Sequence, residues 1–122
     1  MVVAIMLASG ASCVGALAQD VARGERMFEP CQSCHSLDPN RKGMAGPHLA
    51  ALNGRTVGSA AGFDYSPAFQ AARGKRLTWN AERLQAYLAD PDALIPGGWM
   101  SPPGLDDEAD RAAIAAFLLS RK

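Results

Sequence analysis

The sequence predicts an all-α fold: a few helices and long loops wrapped round one large apolar ligand. Three observations point there. Helical segments carry recognisable caps, no alternating run is long enough for a strand, and the apolar core is thin for the chain length. The 122 residues fit one domain but include only four Phe, two Trp and two Tyr beside twelve Gly. A chain this small needs a disulfide, metal or cofactor to complete its interior. Its three cysteines cannot make a disulfide framework. Twelve Lys plus Arg balance twelve Asp plus Glu, which argues against a nucleic-acid binder relying on bulk positive charge.

Taken in order, residues 1–18 read as a secretory signal peptide and residues 19–122 as the working domain. Met1 to Ala18 is uncharged, and Ala16-Leu17-Ala18 is a small-x-small cleavage site. No Lys or Arg precedes the apolar run, and the alternatives are an uncleaved anchor or a lipid-modified Cys13. Export implies a periplasmic protein. Asp20 is the expected cap of a first helix through Val21, Gly24 and Phe28, closed by Pro30. Ser66-Pro67 opens a short second helix that Gly74 ends. Thr78 or Asn80 starts the third, whose apolar face is Leu84, Tyr87 and Leu88 and which Pro91 stops. The last helix begins in the acidic run Asp106, Asp107, Glu108, Asp110 and ends at Arg121 and Lys122, a charge order that suits the helix dipole. Ile114, Phe117 and Leu118 form its buried stripe, and Ala113 and Ala116 permit close approach of another helix.

Two irregular segments, Leu37 to Tyr65 and Asp92 to Gly104, are too long for a compact domain unless they enclose something. Cys31-Gln32-Ser33-Cys34-His35 says what. In a Cys-x-x-Cys-His run, two thiols a helical turn apart can add to the two vinyl groups on one porphyrin edge. The adjacent His then lies under the iron. Zinc held by Cys31, Cys34, His35 and His48 is disfavoured, because neighbouring Cys34 and His35 cannot readily share one tetrahedral ion. A thiol–disulfide oxidoreductase would need a preceding strand, and none is evident. Candidates for the second axial position are Met27, Met44, His48 and Met100. Met27 lies on the helix entering Cys31, Met44 is too near His35 to round the haem, and His48 reads as a loop side chain. Met100, after the Gly97-Gly98 turn, can arrive from the opposite face and is preferred.

With those motifs the chain resembles a class I cytochrome c of the small bacterial and mitochondrial type. The likeness runs from Asp20 onward through Gly24 and Phe28, Cys31 to His35, Gly46-Pro47-His48-Leu49, Asn53-Gly54-Arg55, Gly62 to Ser66, Leu77-Thr78-Trp79, Tyr87-Leu88, Pro91 and Ile95 to Met100. It implies the cytochrome c fold around one covalent haem c, with His35 and Met100 on the iron. It implies that the Pro47 carbonyl accepts a hydrogen bond from His35, that Arg55, Tyr65 and Trp79 contact a haem propionate, and that Tyr87 lies beside the Met100 sulfur. It also implies that the terminal helices cross at Gly24 against Phe117. The expected function is one-electron carriage between transient redox protein partners. No catalysis and no nucleic acid are expected, and membranes are met only through those partners unless residues 1–18 remain as an anchor. The alternatives are a haem peroxidase, a gas-binding sensor with a displaceable Met, or the haem subunit of a larger complex. Three positions depart from the family pattern: Gly98 replaces a Thr or Ser, Trp99 replaces a Lys, and Pro102 replaces an aromatic. The haem edge should therefore be less basic and more apolar than in Lys-ringed members.

Overall fold

A computed structural model of the chain describes residues 13–102 and 104–122. Residues 1–12 of the expected leader, and Pro103, lie outside the described residues. Among the described residues five helices occur in order: α1 Cys13–Phe28, α2 Pro67–Gly74, α3 Ala81–Ala89, α4 Pro91–Leu94 and α5 Glu108–Ser120, with a 3-10 turn over Glu29–Ser33. Among the described residues the only sheet-like pairing is an isolated antiparallel bridge between Thr56 and Thr78. The expected all-α architecture is the one observed.

The helix starts follow local chemistry. Ser66 Oγ accepts from Phe69 N–H, Asn80 Oδ1 from Arg83 N–H, and Asp107 Oδ1 from Ala109 N–H, so α2, α3 and α5 each open on a side chain that satisfies an end donor. Two boundaries differ from expectation. Asp20 does not cap α1: the helix runs back to Cys13, because the Ala- and Leu-containing stretch before Asp20 holds no proline to stop it. Pro91 does not simply stop α3. Asp90 closes that helix and caps α4, with Pro91 in the first turn where its missing N–H costs nothing. At the far end α5 stops at Ser120, and the Arg121 guanidinium stands 5.6 Å over the Phe117 ring.

The core lies where α1 crosses α5 and where α3 leans on both α4 and α5. Buried Phe28 meets Phe117 with ring centroids 5.6 Å apart, and Ile114, Leu118, Leu84 and Leu88 complete the cluster. Gly24 makes the crossing possible. A β-carbon there would lie 2.7 Å from Phe117 Cβ and closer still to the Ala113 carbonyl oxygen. Arg23 and Asp110 pair across the same crossing at 2.5 Å. That pair is part-exposed and adds little to the apolar contact. No described helix is long and apolar enough to cross a membrane.

Candidate haem-binding site

The five-residue attachment run sits on the 3-10 turn and the step after it. Cys34 and His35 N–H both donate to the Cys31 carbonyl, at 3.1 and 2.9 Å, so the chain curls to present Cys31, Cys34 and His35 together. Both thiols are free of any disulfide. Burial, reinforced by neighbouring Cys34, pushes the Cys31 thiol above its ordinary range, so it stays protonated at neutral pH. The zinc alternative gains nothing: among the described residues no three His, Cys, Asp or Glu side chains cluster as a metal site.

His35 is fixed from behind. Its Nδ1 lies 2.8 Å from the Pro47 carbonyl, which can only accept, so Nδ1 carries the proton and Nε2 keeps its lone pair. Burial holds the imidazole below the usual His range, with the Pro47 bond opposing that shift, and the ring is neutral at neutral pH. Gly46 presses on one face. A β-carbon at that position would lie 2.7 Å from Nδ1, 2.9 Å from Nε2 and nearer still to Cε1. Backbone bonds from Gly46 N–H to the Cys34 carbonyl (2.9 Å) and from Leu49 N–H to the Ser36 carbonyl (2.8 Å) clamp this loop onto the attachment run.

A second cluster comes from loops with no regular structure. Gly54 N–H donates to the Trp79 carbonyl, Trp79 N–H to the Arg55 carbonyl, and Val57 N–H to the Leu77 carbonyl, all within 2.7–2.9 Å. This short ladder sets Arg55 beside Trp79. Tyr65 is buried, its hydroxyl accepts from Ala60 N–H at 2.9 Å, and burial raises the phenol above its ordinary range. An aromatic wall continues from it: Phe63 to Tyr65 at 4.8 Å, Tyr65 to Phe69 at 5.8 Å, Phe69 to Tyr87 at 5.7 Å, and Tyr87 to Trp79 at 5.4 Å. Burial, with the Asp92 charge adding to it, pushes the Tyr87 phenol up to about 12. It therefore remains an O–H donor at any physiological pH.

Met100 packs half-buried against the core, after a turn in which Gly97 takes the left-handed conformation (φ 86°). That turn rests on α2, where the place of a Gly98 β-carbon is 3.4 Å from Phe69 Cε2. Met27 also packs against the core, and Met44 lines a small cleft with Arg41, Lys42 and His48. Trp99 is 70% exposed, so the residue before Met100 offers an indole to solvent.

Two features escaped the sequence. Phe69 stands mid-wall, and only its place three residues after the Ser66 cap marks it. His48, expected as a loop side chain, is half-buried against Arg55. The charge total also conceals a segregation: Asp90, Asp92, Asp106, Asp107, Glu108 and Asp110 fall within residues 84–110, which hold no Lys or Arg.

The donor set suits a haem. Arg55 Nε is buried with no hydrogen-bond partner, an orphan that a buried carboxylate would satisfy. The glycine cradle at His35, its free Nε2, two free thiols and the aromatic wall suit a porphyrin better than a bare ion.

Comparison with known proteins agrees. The profile of the family described as Cytochrome c matches residues 21–122. A cytochrome c2 of Rhodopseudomonas palustris is 40% identical over 104 residues, which is 85% of this chain and 88% of that protein. The structure of cytochrome c2 from Rhodospirillum centenum superposes with a TM-score of 0.77 at 32% identity, covering 84% of this chain and 98% of that one. Cytochrome cH from Methylobacterium extorquens superposes with a TM-score of 0.72 at 35% identity, covering 84% and 99%.

Proposed function

The chain belongs to the cytochrome c family, whose members carry electrons on one covalently attached haem c, and from that premise we propose which of its residues do so. Cys31 and Cys34 form the thioether links. His35 Nε2 and Met100 Sδ would hold the iron, the Pro47 carbonyl orients His35, and Arg55, Tyr65 and Trp79 would serve a haem carboxylate. Tyr87 lines the Met100 side. The observation that carries this assignment is the His35 imidazole, whose Nδ1 proton is committed to Pro47 while Gly46 fixes the ring plane. A hydrogen bond of that kind fixes the tautomer and raises the basicity of the liganding nitrogen.

The haem, when bound, supplies a one-electron ferric–ferrous couple. The chain's part is to bind the group and keep that couple insulated. Phe69, Trp79 and Tyr87 exclude water from one flank, and the Tyr87 phenol stays uncharged. A Met ligand raises the potential relative to a second His. With His35 and Met100 both claimed by the iron, the haem would offer a substrate no open site, which supports a carrier over an enzyme. The family match and the cytochrome c2 relatives favour this over a peroxidase or a gas sensor. Export on residues 1–18 places the working domain, 19–122, in the periplasm. Its partners are redox proteins that meet an apolar contact at Trp99, and the carboxylates of residues 84–110 favour a basic partner face.

Extraction with acidified acetone tests the attachment. Colour retained by the denatured chain supports thioethers at Cys31 and Cys34, and haem passing wholly into the solvent refutes them.

A further inference from the structure

Arg55 is gripped by one short stretch of loop. Its Nη1 donates to the Ala50 carbonyl at 2.8 Å, and its Nη2 donates to the His48 carbonyl at 2.9 Å. The same Nη1 stands 3.2 Å from His48 Nδ1, and the Ala50 N–H points at that nitrogen from 3.3 Å. A guanidinium and an amide N–H are both donors only. His48 Nδ1 must therefore accept from both, which puts the imidazole proton on Nε2. Protonating His48 means placing a hydrogen on Nδ1. That replaces an acceptor shared by Arg55 and Ala50 with a donor, and sets a second cation against the guanidinium. Of the remaining Arg55 donors, Nε is buried and otherwise unpartnered.

We propose that His48 is a proton-linked positioning residue: neutral, it adds a third hold on Arg55, and protonated, it gives up that hold on Nη1, which keeps its bond to the Ala50 carbonyl, and adds a positive charge beside the carboxylate that Arg55 serves. This rests on Arg55 serving a haem carboxylate, as assigned above. Positive charge near the iron favours the ferrous state, so proton uptake at His48 and reduction assist each other. When a partner redox protein accepts the electron, imidazolium His48 loses its Nδ1 proton to water. When a partner returns the electron, His48 takes a proton up again.

The charges facing the ring set the range. Arg55 and Lys42 oppose protonation, Asp38 favours it, and Arg41 lines the same cleft. The Tyr65 phenol also lies near enough to act on the Arg55 charge. Burial first, then Arg55 and Lys42, hold His48 below the ordinary His range, with Asp38 offsetting part of the shift. The linkage therefore belongs to mildly acidic conditions.

The chain has two histidines, His35 and His48, so with His35 on the iron one titrating imidazole remains. The test is an NMR titration of that imidazole in the ferrous and the ferric holoprotein, with the midpoint potential followed over the pH range where His titrates, about 5 to 8. The expected result is a higher His48 pKa in the ferrous state and a potential that falls as pH rises between the two pKa values. His48→Asn, which keeps an acceptor oxygen, should lose that fall. Equal pKa values in the two states, which need no variant to measure, overturn the proposal. So does an unchanged pH-dependent fall in His48→Asn. Arg55→Gln separates the underlying assignment. A shifted potential alongside equal His48 pKa values defeats the linkage alone, whereas a potential identical to wild type defeats the carboxylate role of Arg55 and the linkage with it.

Discussion

Gly46→Ala should damage the fold and the His35 ligand together, although it adds one methyl group. The new β-carbon would stand 2.7 Å from Nδ1 and 2.9 Å from Nε2 of His35, where ordinary contacts begin near 3.4 Å. Neither side can give easily. The imidazole is held by Pro47 behind and, on the proposed assignment, would be held by the iron in front, and the Gly46 backbone is tied to the Cys34 carbonyl at 2.9 Å. Overpacking of this kind costs about 1–3 kcal/mol. Losing the His35–Pro47 bond adds about 1 kcal/mol. The smaller unfolded-state entropy of Ala returns about 0.4–1 kcal/mol. The net loss is about 1–3.5 kcal/mol, a little over 2 at mid-range, and for a domain near 100 residues each kcal/mol lowers Tm by about 4–8 °C. Thermal unfolding of the holoprotein, read by far-ultraviolet dichroism and by the Soret band, should therefore shift down by about 10–20 °C.

The ligand offers a second and separate readout. Removing the support of a metal-bound His lowers its affinity about 10–100-fold, so acid displacement of His35 from ferric iron should move up by about 1–2 pH units. Gly43→Ala is the control. Gly43 has a left-handed φ of 79° but nothing within 4 Å of its added β-carbon, so only backbone strain of about 1–2 kcal/mol applies. Its acid transition should match wild type. A Gly46→Ala protein as stable as wild type, or one indistinguishable from Gly43→Ala in both readouts, refutes the steric argument.

Four further outcomes are expected. Gly24→Ala should cost about 2–3 kcal/mol in a denaturant titration, because the Ala113 carbonyl and Phe117 Cβ block the methyl and the overlap outweighs the gain in helix propensity. Met100→Ala should open ferric iron to azide and ferrous iron to carbon monoxide and lower the potential, while Met44→Ala leaves the ligand bands unchanged; the reverse pattern would move the ligand to Met44. His48 has a folded-state pKa below its unfolded value, so its contribution to stability is whole above pH about 6.5 and is lost as pH falls through the folded pKa. His48→Asn should accordingly flatten the acid side of a stability–pH curve. Trp99→Ala should weaken the complex with the physiological partner by about tenfold or more if the exposed indole is an interface anchor, measured by stopped-flow electron transfer at several partner concentrations.

How much was legible in the sequence depends on how local each cause is. The helix start at Ser66 was readable outright, and those at Asn80 and Asp107 to within two or three residues, because a cap acts on a donor two or three residues away. The attachment run was readable for the same reason, since one turn of chain holds every part of it. The neighbours of the haem were not readable that way. Arg55 reaches Trp79 through a ladder with a single bridge and no hydrophobic alternation, so only family likeness suggested that they belong together. His48 is the sharper case. The loop folds back on Arg55 through Ala51, which adopts a left-handed φ of 49° that alanine ordinarily avoids. Nothing in an Ala-Ala-Leu stretch signals such a turn, and without it an imidazole seven residues before an arginine reads as a solvent-facing side chain. The zero net charge is a related case. A total does not display that residues 84–110, which include Trp99 and Met100, hold six carboxylates and no Lys or Arg, with Asp110 paired to Arg23 of α1. A partner responds to that local field and not to the sum, and the field falls off within a Debye length of about 10 Å. Electron exchange with a basic partner should therefore slow as salt is raised, even though the chain as a whole is neutral.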